Sequence, residues 1–162
     1  MEKIKKPMVT IVMGSKNDYE AMIEAKRILD EFGIANEVLV VSAHRTPEKC
    51  RDFARNALKR GIKVIIAGAG KAAHLAGVIA SYTTLPVIGV PLDASLGGLD
   101  ALLSTVQMPV GVPVATMAIG RSGAVNAGLM AVEILGLENP ELMRKLNIYR
   151  KKQQREVKLP PH

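Results

Sequence analysis

Five short runs rich in β-branched residues recur along the chain, and each is followed by a stretch with helical periodicity. The runs are 8–13, 37–41, 64–67, 87–90 and 112–119, each bounded by Gly, Pro or Ser. The helical stretches cover about 18–32, 47–60, 72–83, 98–107 and 122–135. Neighbouring parallel strands need a crossover between them, and a helix is the usual one. Five such units in series predict a doubly wound α/β fold. It has three layers, α/β/α, around a five-stranded parallel sheet of flavodoxin or Rossmann type. The apolar residues suit this, being mostly aliphatic, with no Trp, two Phe and three Tyr. Small branched side chains fill a sheet that is covered on both faces.

The 162 residues are expected to form a single domain, with a tail at 1–8 and an α/β core at 9–136. An extra C-terminal helix at 137–157 and a tail at 158–162 complete it. That helix carries Leu142, Leu146 and Tyr149 on one stripe among many charges. By then both sheet faces have helices to cover them, so the stripe is expected to pack on a neighbouring subunit. The helix before it has a small-residue face, Ala124, Ala127, Gly128 and Ala131, that permits close helix approach. Together the two features predict a homo-oligomer.

A net charge of +7 raises the question of a nucleic-acid partner. Residues 9–139 carry 12 basic and 12 acidic side chains, which cancel. The excess lies in the first eight residues, with three basic and one acidic, and in 140–162, with seven and two. A basic face with stacking aromatics or a recognition helix is missing, so no nucleic-acid role is expected. The longest apolar runs are strand-sized, well short of the roughly 20 residues a membrane helix needs. Cys50 is the single cysteine, so no internal disulfide can form, which agrees with the cytoplasm.

In doubly wound sheets ligands bind beyond the carboxyl ends of the strands, where strand order reverses. Three such ends carry polar chemistry. After the first strand, Gly14 allows a tight turn, and Ser15 offers a hydroxyl and amides at a helix start, a site for an anion. Asp18 can cap that helix or accept hydrogen bonds from ribose hydroxyls. After the second strand come Ser42, Ala43, His44, Arg45 and Thr46, with Thr46-Pro47 reading as a cap and first helical residue. Arg45 has a planar donor fork suited to phosphate or carboxylate. An imidazole such as that of His44 can exchange a proton near neutral pH. After the third strand, Gly68, Ala69 and Gly70 let a ligand come close, Lys71 can meet a negative group, and His74 falls in the next helix's first turn. No metal-binding, nucleotide-loop or nucleophile-elbow signature is present. The residues point to acid–base chemistry on a phosphorylated small molecule, without metal or cofactor.

The strings Met13-Gly-Ser-Lys-Asn-Asp18, Ser42-Ala-His-Arg-Thr-Pro-Glu48, Ala-Gly-x-x-Ala-Ala-His-Leu over 67–75, with one extra residue in the glycine turn, and Val106-Gln-Met-Pro109 resemble a known family. It is the 5-(carboxyamino)imidazole ribonucleotide mutases of purine biosynthesis, and the likeness runs from about Val9 to Val157. The resemblance implies a homo-octamer that needs no metal or cofactor. It implies migration of a carboxylate from an exocyclic nitrogen to a ring carbon of a ribonucleotide. By matching position, Ser15 and Arg45 hold the 5′-phosphate, Asp18 the ribose hydroxyls, and His44 is general acid and base. Ser42, Gly70, Lys71 and His74 line the carboxylate pocket. Lys71 and Ala76 stand where these mutases usually have Gly and Pro, and the segment 92–98 is one residue short. A related group carboxylates the uncarboxylated ribonucleotide directly with carbon dioxide. It typically has Lys in place of Arg45 and lacks the Ala-Ala-His-Leu run, so this sequence sides with the mutases.

Overall fold

A computed structural model describes residues 6–157. The outermost tail residues, 1–5 and 158–162, lie outside the described residues. The five strands are β1 (Val9–Met13), β2 (Asn36–Val40), β3 (Val64–Gly70), β4 (Val87–Leu92) and β5 (Ala115–Thr116). The helices are α1 (Tyr19–Glu31), α2 (Pro47–Ala57), α3 (Leu75–Ala80), α4 (Leu99–Val106), α5 (Arg121–Gly136) and α6 (Pro140–Glu156). All strand pairs are parallel and the order is β2-β1-β3-β4-β5. The chain steps from β1 to β2 on one side and then crosses back to β3 on the other. The reversal point is therefore at the ends of β1 and β3.

Period-two alternation in β1 sorts its side chains to two faces. Val9, Ile11 and Met13 join Met22 and Leu29 of α1 and Ala127 and Ala131 of α5 in one core. Val12 joins Cys50, Ala54 and Ala57 of α2 and Ile79 of α3 in the other. Thr10 is fully buried in this central strand, and its hydroxyl donates to Glu37 Oε1 at 2.8 Å, so no polar atom there lacks a partner. Gly33 ends α1 with φ 74°, a conformation glycine adopts without steric cost, and Ile34 N–H returns to Leu29 O at 2.9 Å. The register sets Met13 level with Val40 and Gly68, and Gly70 level with Leu92. Four loops thus leave the same edge of the sheet.

Several sequence expectations change in the folded chain. The fifth run, expected to be a strand over 112–119, pairs with β4 only at Ala115 and Thr116. Pro113 has no N–H to give, and beyond the strand only Met117 and Gly120 donate back, to Gly89 O and Pro91 O. The helix expected at 72–83 shortens to Leu75–Ala80, because Lys71 turns left-handed and His74 becomes the residue before the first helical turn. Thr46 precedes α2 but its hydroxyl does not cap the helix; it donates to Ser42 O at 3.0 Å instead.

Helix α6 is covered differently from the expectation. Leu142 and Leu146 are buried within their own chain, in the core cluster of α1 and α5, and Tyr149 packs on Phe32 with ring centroids 5.8 Å apart. The small-residue face of α5 is likewise filled by α1 of the same chain, whose Ile28 and Ala25 crowd Gly128. Neither feature needs a second subunit. Counting helices showed that each sheet face had cover, but not that the far end of the α1–α5 pair stayed open for α6.

Candidate active site

At the end of β1, Ser15 closes a capping box with Asp18 around the 3₁₀ turn Lys16–Asp18. Asn17 N–H donates to Ser15 Oγ at 3.3 Å, and Ser15 N–H donates to Asp18 Oδ2 at 2.9 Å. Both polar groups thus have a structural task, yet both keep capacity for a ligand. The Ser15 hydroxyl accepts locally and still has its proton to give, and Asp18 has a second carboxylate oxygen. Half-burial pushes the Asp18 carboxyl up from its ordinary value, opposed by the Ser15 N–H bond and the Arg45 charge. Gly14, expected to make a tight turn, does not adopt a left-handed φ, so that turn does not depend on glycine.

At the end of β2, residues 42–46 form a turn that bonds to itself. Ser42 N–H donates to Thr46 Oγ1 at 3.1 Å, Thr46 N–H to Ser42 O at 3.0 Å, and Arg45 N–H to Ser42 Oγ at 3.1 Å. That lock aims Arg45 across to the neighbouring strand, where Nη2 donates to Gly14 O at 2.8 Å. The guanidinium therefore ties the β2 turn to the β1 turn and keeps its remaining donors for a ligand.

At the end of β3, a Cβ on Gly70 would stand 2.7 Å from Ala94 Cβ and 3.3 Å from Leu92 O, so a side chain there would collide with the β4 loop. Lys71 follows with φ 56°, one of two non-glycine residues among those described with positive φ. That conformation costs an L-residue about 1–2 kcal/mol. His74, three residues on, places Nδ1 2.9 Å from His44 Nε2, with the rings edge to face at 84°. One imidazole must donate and the other accept, so the pair holds one proton between the two nitrogens.

These turns enclose a cleft of about 470 Å³ lined by Ser15, Asp18, Ser42, His44, Arg45, Gly70 and Lys71, among others. Seven of the eight residues singled out from the sequence line it, and the eighth, His74, joins through the His44 ring. A larger cavity of about 550 Å³, bordered by Met8, Ile34 and Leu142, has no imidazole or guanidinium in its wall. Sequence reasoning gave no role to five residues that also line the cleft, Asn17, Ala43, Ala72, Leu75 and Ala94. Asn17 stood inside a quoted string with no role assigned. Ala94 has no polar group to flag it and enters only because β4 pairs with β3. Val106–Pro109, by contrast, stays outside the cleft beside α3, where Met108 crowds Gly77. No group of three potential metal-ligating side chains occurs among the described residues.

The likeness to known proteins covers almost all of this chain. N5-carboxyaminoimidazole ribonucleotide mutase from Pyrococcus horikoshii is 56% identical over 156 residues, 96% of this chain and 87% of that protein. The protein of that name from Bacillus subtilis is 58% identical over 142 residues, 87% of this chain and 88% of its own length. The crystal structure of Treponema denticola PurE superposes with a TM-score of 0.83 at 28% identity, over 93% of this chain and 94% of the other. The AIR carboxylase family model matches residues 8–156, from the first strand through the last helix and every turn of the cleft. The chain belongs to the AIR carboxylase family.

Proposed function

We propose that this protein is an N5-carboxyaminoimidazole ribonucleotide mutase, converting 5-(carboxyamino)imidazole ribonucleotide into 4-carboxy-5-aminoimidazole ribonucleotide in purine biosynthesis. The observation that carries the reading is that His44 lines the same cleft as the Ser15 hydroxyl and the Arg45 guanidinium. An acid–base group beside an anion cradle suits proton transfer on a phosphorylated ligand. The relatives, both N5-carboxyaminoimidazole ribonucleotide mutases by name, favour the mutase over direct carboxylation.

Ser15 and Arg45 hold the 5′-phosphate, and Asp18 accepts from the ribose hydroxyls. Ser42, Gly70, Lys71 and His74 border the space in which the carboxylate moves. His44, protonated, gives its proton to the exocyclic nitrogen as the bond from that nitrogen to the carboxylate carbon breaks. Carbon dioxide stays in the cleft. The ring carbon then bonds to it and loses its hydrogen as a proton to His44. Every proton given is regained, so no cofactor is required by the balance.

The test supplies, without ATP, either the carboxyamino ribonucleotide or the uncarboxylated ribonucleotide with bicarbonate. Saturable turnover of the first alone is the expected outcome. Efficient turnover of the second would make the protein a direct carboxylase.

A homo-oligomer, the octamer of the family resemblance, belongs to the same proposal. It is supported by α4, which exposes Leu99, Leu103 and Val106 at helical spacing, each about half accessible. Leu103→Glu is expected to lower the mass measured by light scattering, with the monomer's helical circular dichroism kept. An unchanged mass would remove α4 from the interface. Cytoplasmic residence completes the proposal; among the described residues no helix is long and apolar enough to cross a membrane, and Cys50 is an unpaired thiol.

A further inference from the structure

We infer that Lys71 selects the carboxylated nucleotides, by pairing its ammonium with the migrating carboxylate and not with the phosphate. The inference rests on the reading of the cleft as a site of carboxylate migration and goes one step beyond it.

The first observation is the backbone. Lys71 is held at φ 56°, where glycine would sit without strain. Nothing in the packing calls for a side chain there, since Lys71 is exposed and makes no ion pair among the described residues. An unfavourable conformation that is not repaid by contacts points to a task for the side chain with a ligand.

The second observation is charge. The cleft wall holds two formal cations, Arg45 and Lys71, and one carboxylate, Asp18. Both nucleotides of the proposed reaction carry a phosphate and a separate carboxylate. Two anionic groups face two cations.

Placement divides the cations between them. Arg45 spans the β1 and β2 ends through its bond to Gly14 O, beside Ser15. Lys71 stands at the end of β3, in the turn that also brings His74 to His44. The phosphate cradle is thus at the β1 and β2 ends, and Lys71 is at the β3 end, in the same turn as His74.

The test is calorimetric titration of the wild-type protein and of Lys71→Met, Lys71→Gly and Lys71→Arg. The ligands are 4-carboxy-5-aminoimidazole ribonucleotide and 5-aminoimidazole ribonucleotide, which share the phosphate and the ribose. Met and Gly are expected to weaken the first by roughly five- to tenfold and to leave the second within about twofold, and Arg to restore the difference. Gly, which relieves the left-handed strain, is expected to melt above the wild type, and Met is not. Equal weakening of both ligands would assign Lys71 to the phosphate and overturn the inference. So would unchanged affinity for both, or a fall in melting temperature in the Gly variant, which marks a structural residue. A wild-type protein that binds neither nucleotide would instead overturn the reading of the cleft itself.

Discussion

His44→Asn is expected to lower the rate of carboxyaminoimidazole ribonucleotide conversion by about 10²- to 10⁴-fold, the usual contribution of a positioned general acid or base. The amide of Asn keeps a polar, similarly shaped side chain but cannot shuttle a proton. Both imidazoles are exposed at the cleft, and their contact to each other is the only hydrogen bond that the His44 ring makes among the described residues. The fold should therefore change little, within about 0.5 kcal/mol for a surface substitution. Steady-state kinetics, product-nucleotide titration and thermal melting separate the effects. The expected pattern is a collapsed kcat with near-normal binding and melting. Near-normal turnover would remove His44 from the proton transfer, and a collapse of all three would make it a structural residue.

The second large effect is expected at Arg45. Arg45→Met should raise KM by roughly 10- to 100-fold, the range for losing charge-assisted hydrogen bonds in a partly enclosed site. The bond from Nη2 to Gly14 O is lost as well, but that carbonyl lies at the cleft mouth, where water can replace the donor. Melting should fall only slightly. Titration with ribose 5-phosphate isolates the phosphate from the rest of the substrate and should show the same loss. Arg45→Lys should recover little of it, because an ammonium cannot reach both the carbonyl and a phosphate as a planar fork does. The salt dependence of KM should also flatten in the Met variant, since one screened attraction has gone. An unchanged KM with ribose 5-phosphate still bound would move the phosphate elsewhere in the cleft.

The eight candidate residues could be picked out of the chain because each lies at, or within a few residues of, the carboxyl end of a strand, where the doubly wound fold gathers loops from distant segments. The same logic failed where a residue had no polar atom to draw notice. Ala94 enters the cleft only through the register of Gly70 with Leu92, which no local pattern reports. It failed in a different way for α6. An apolar stripe shows that a helix must be covered, but not by which surface, and the open end of the α1–α5 pair supplied that surface within the same chain.

The alternation of β-branched runs with helical stretches was enough to specify the layers, the parallel sheet and the edge where chemistry gathers, because crossovers and backbone pairing leave few other arrangements. The left-handed Lys71, the proton shared by His44 and His74, and the tie from Arg45 to Gly14 came only with the folded chain. The last two depend on atoms from segments some thirty residues apart meeting within about 3 Å. Spacing along a sequence carries no such distance; packing of the sheet does.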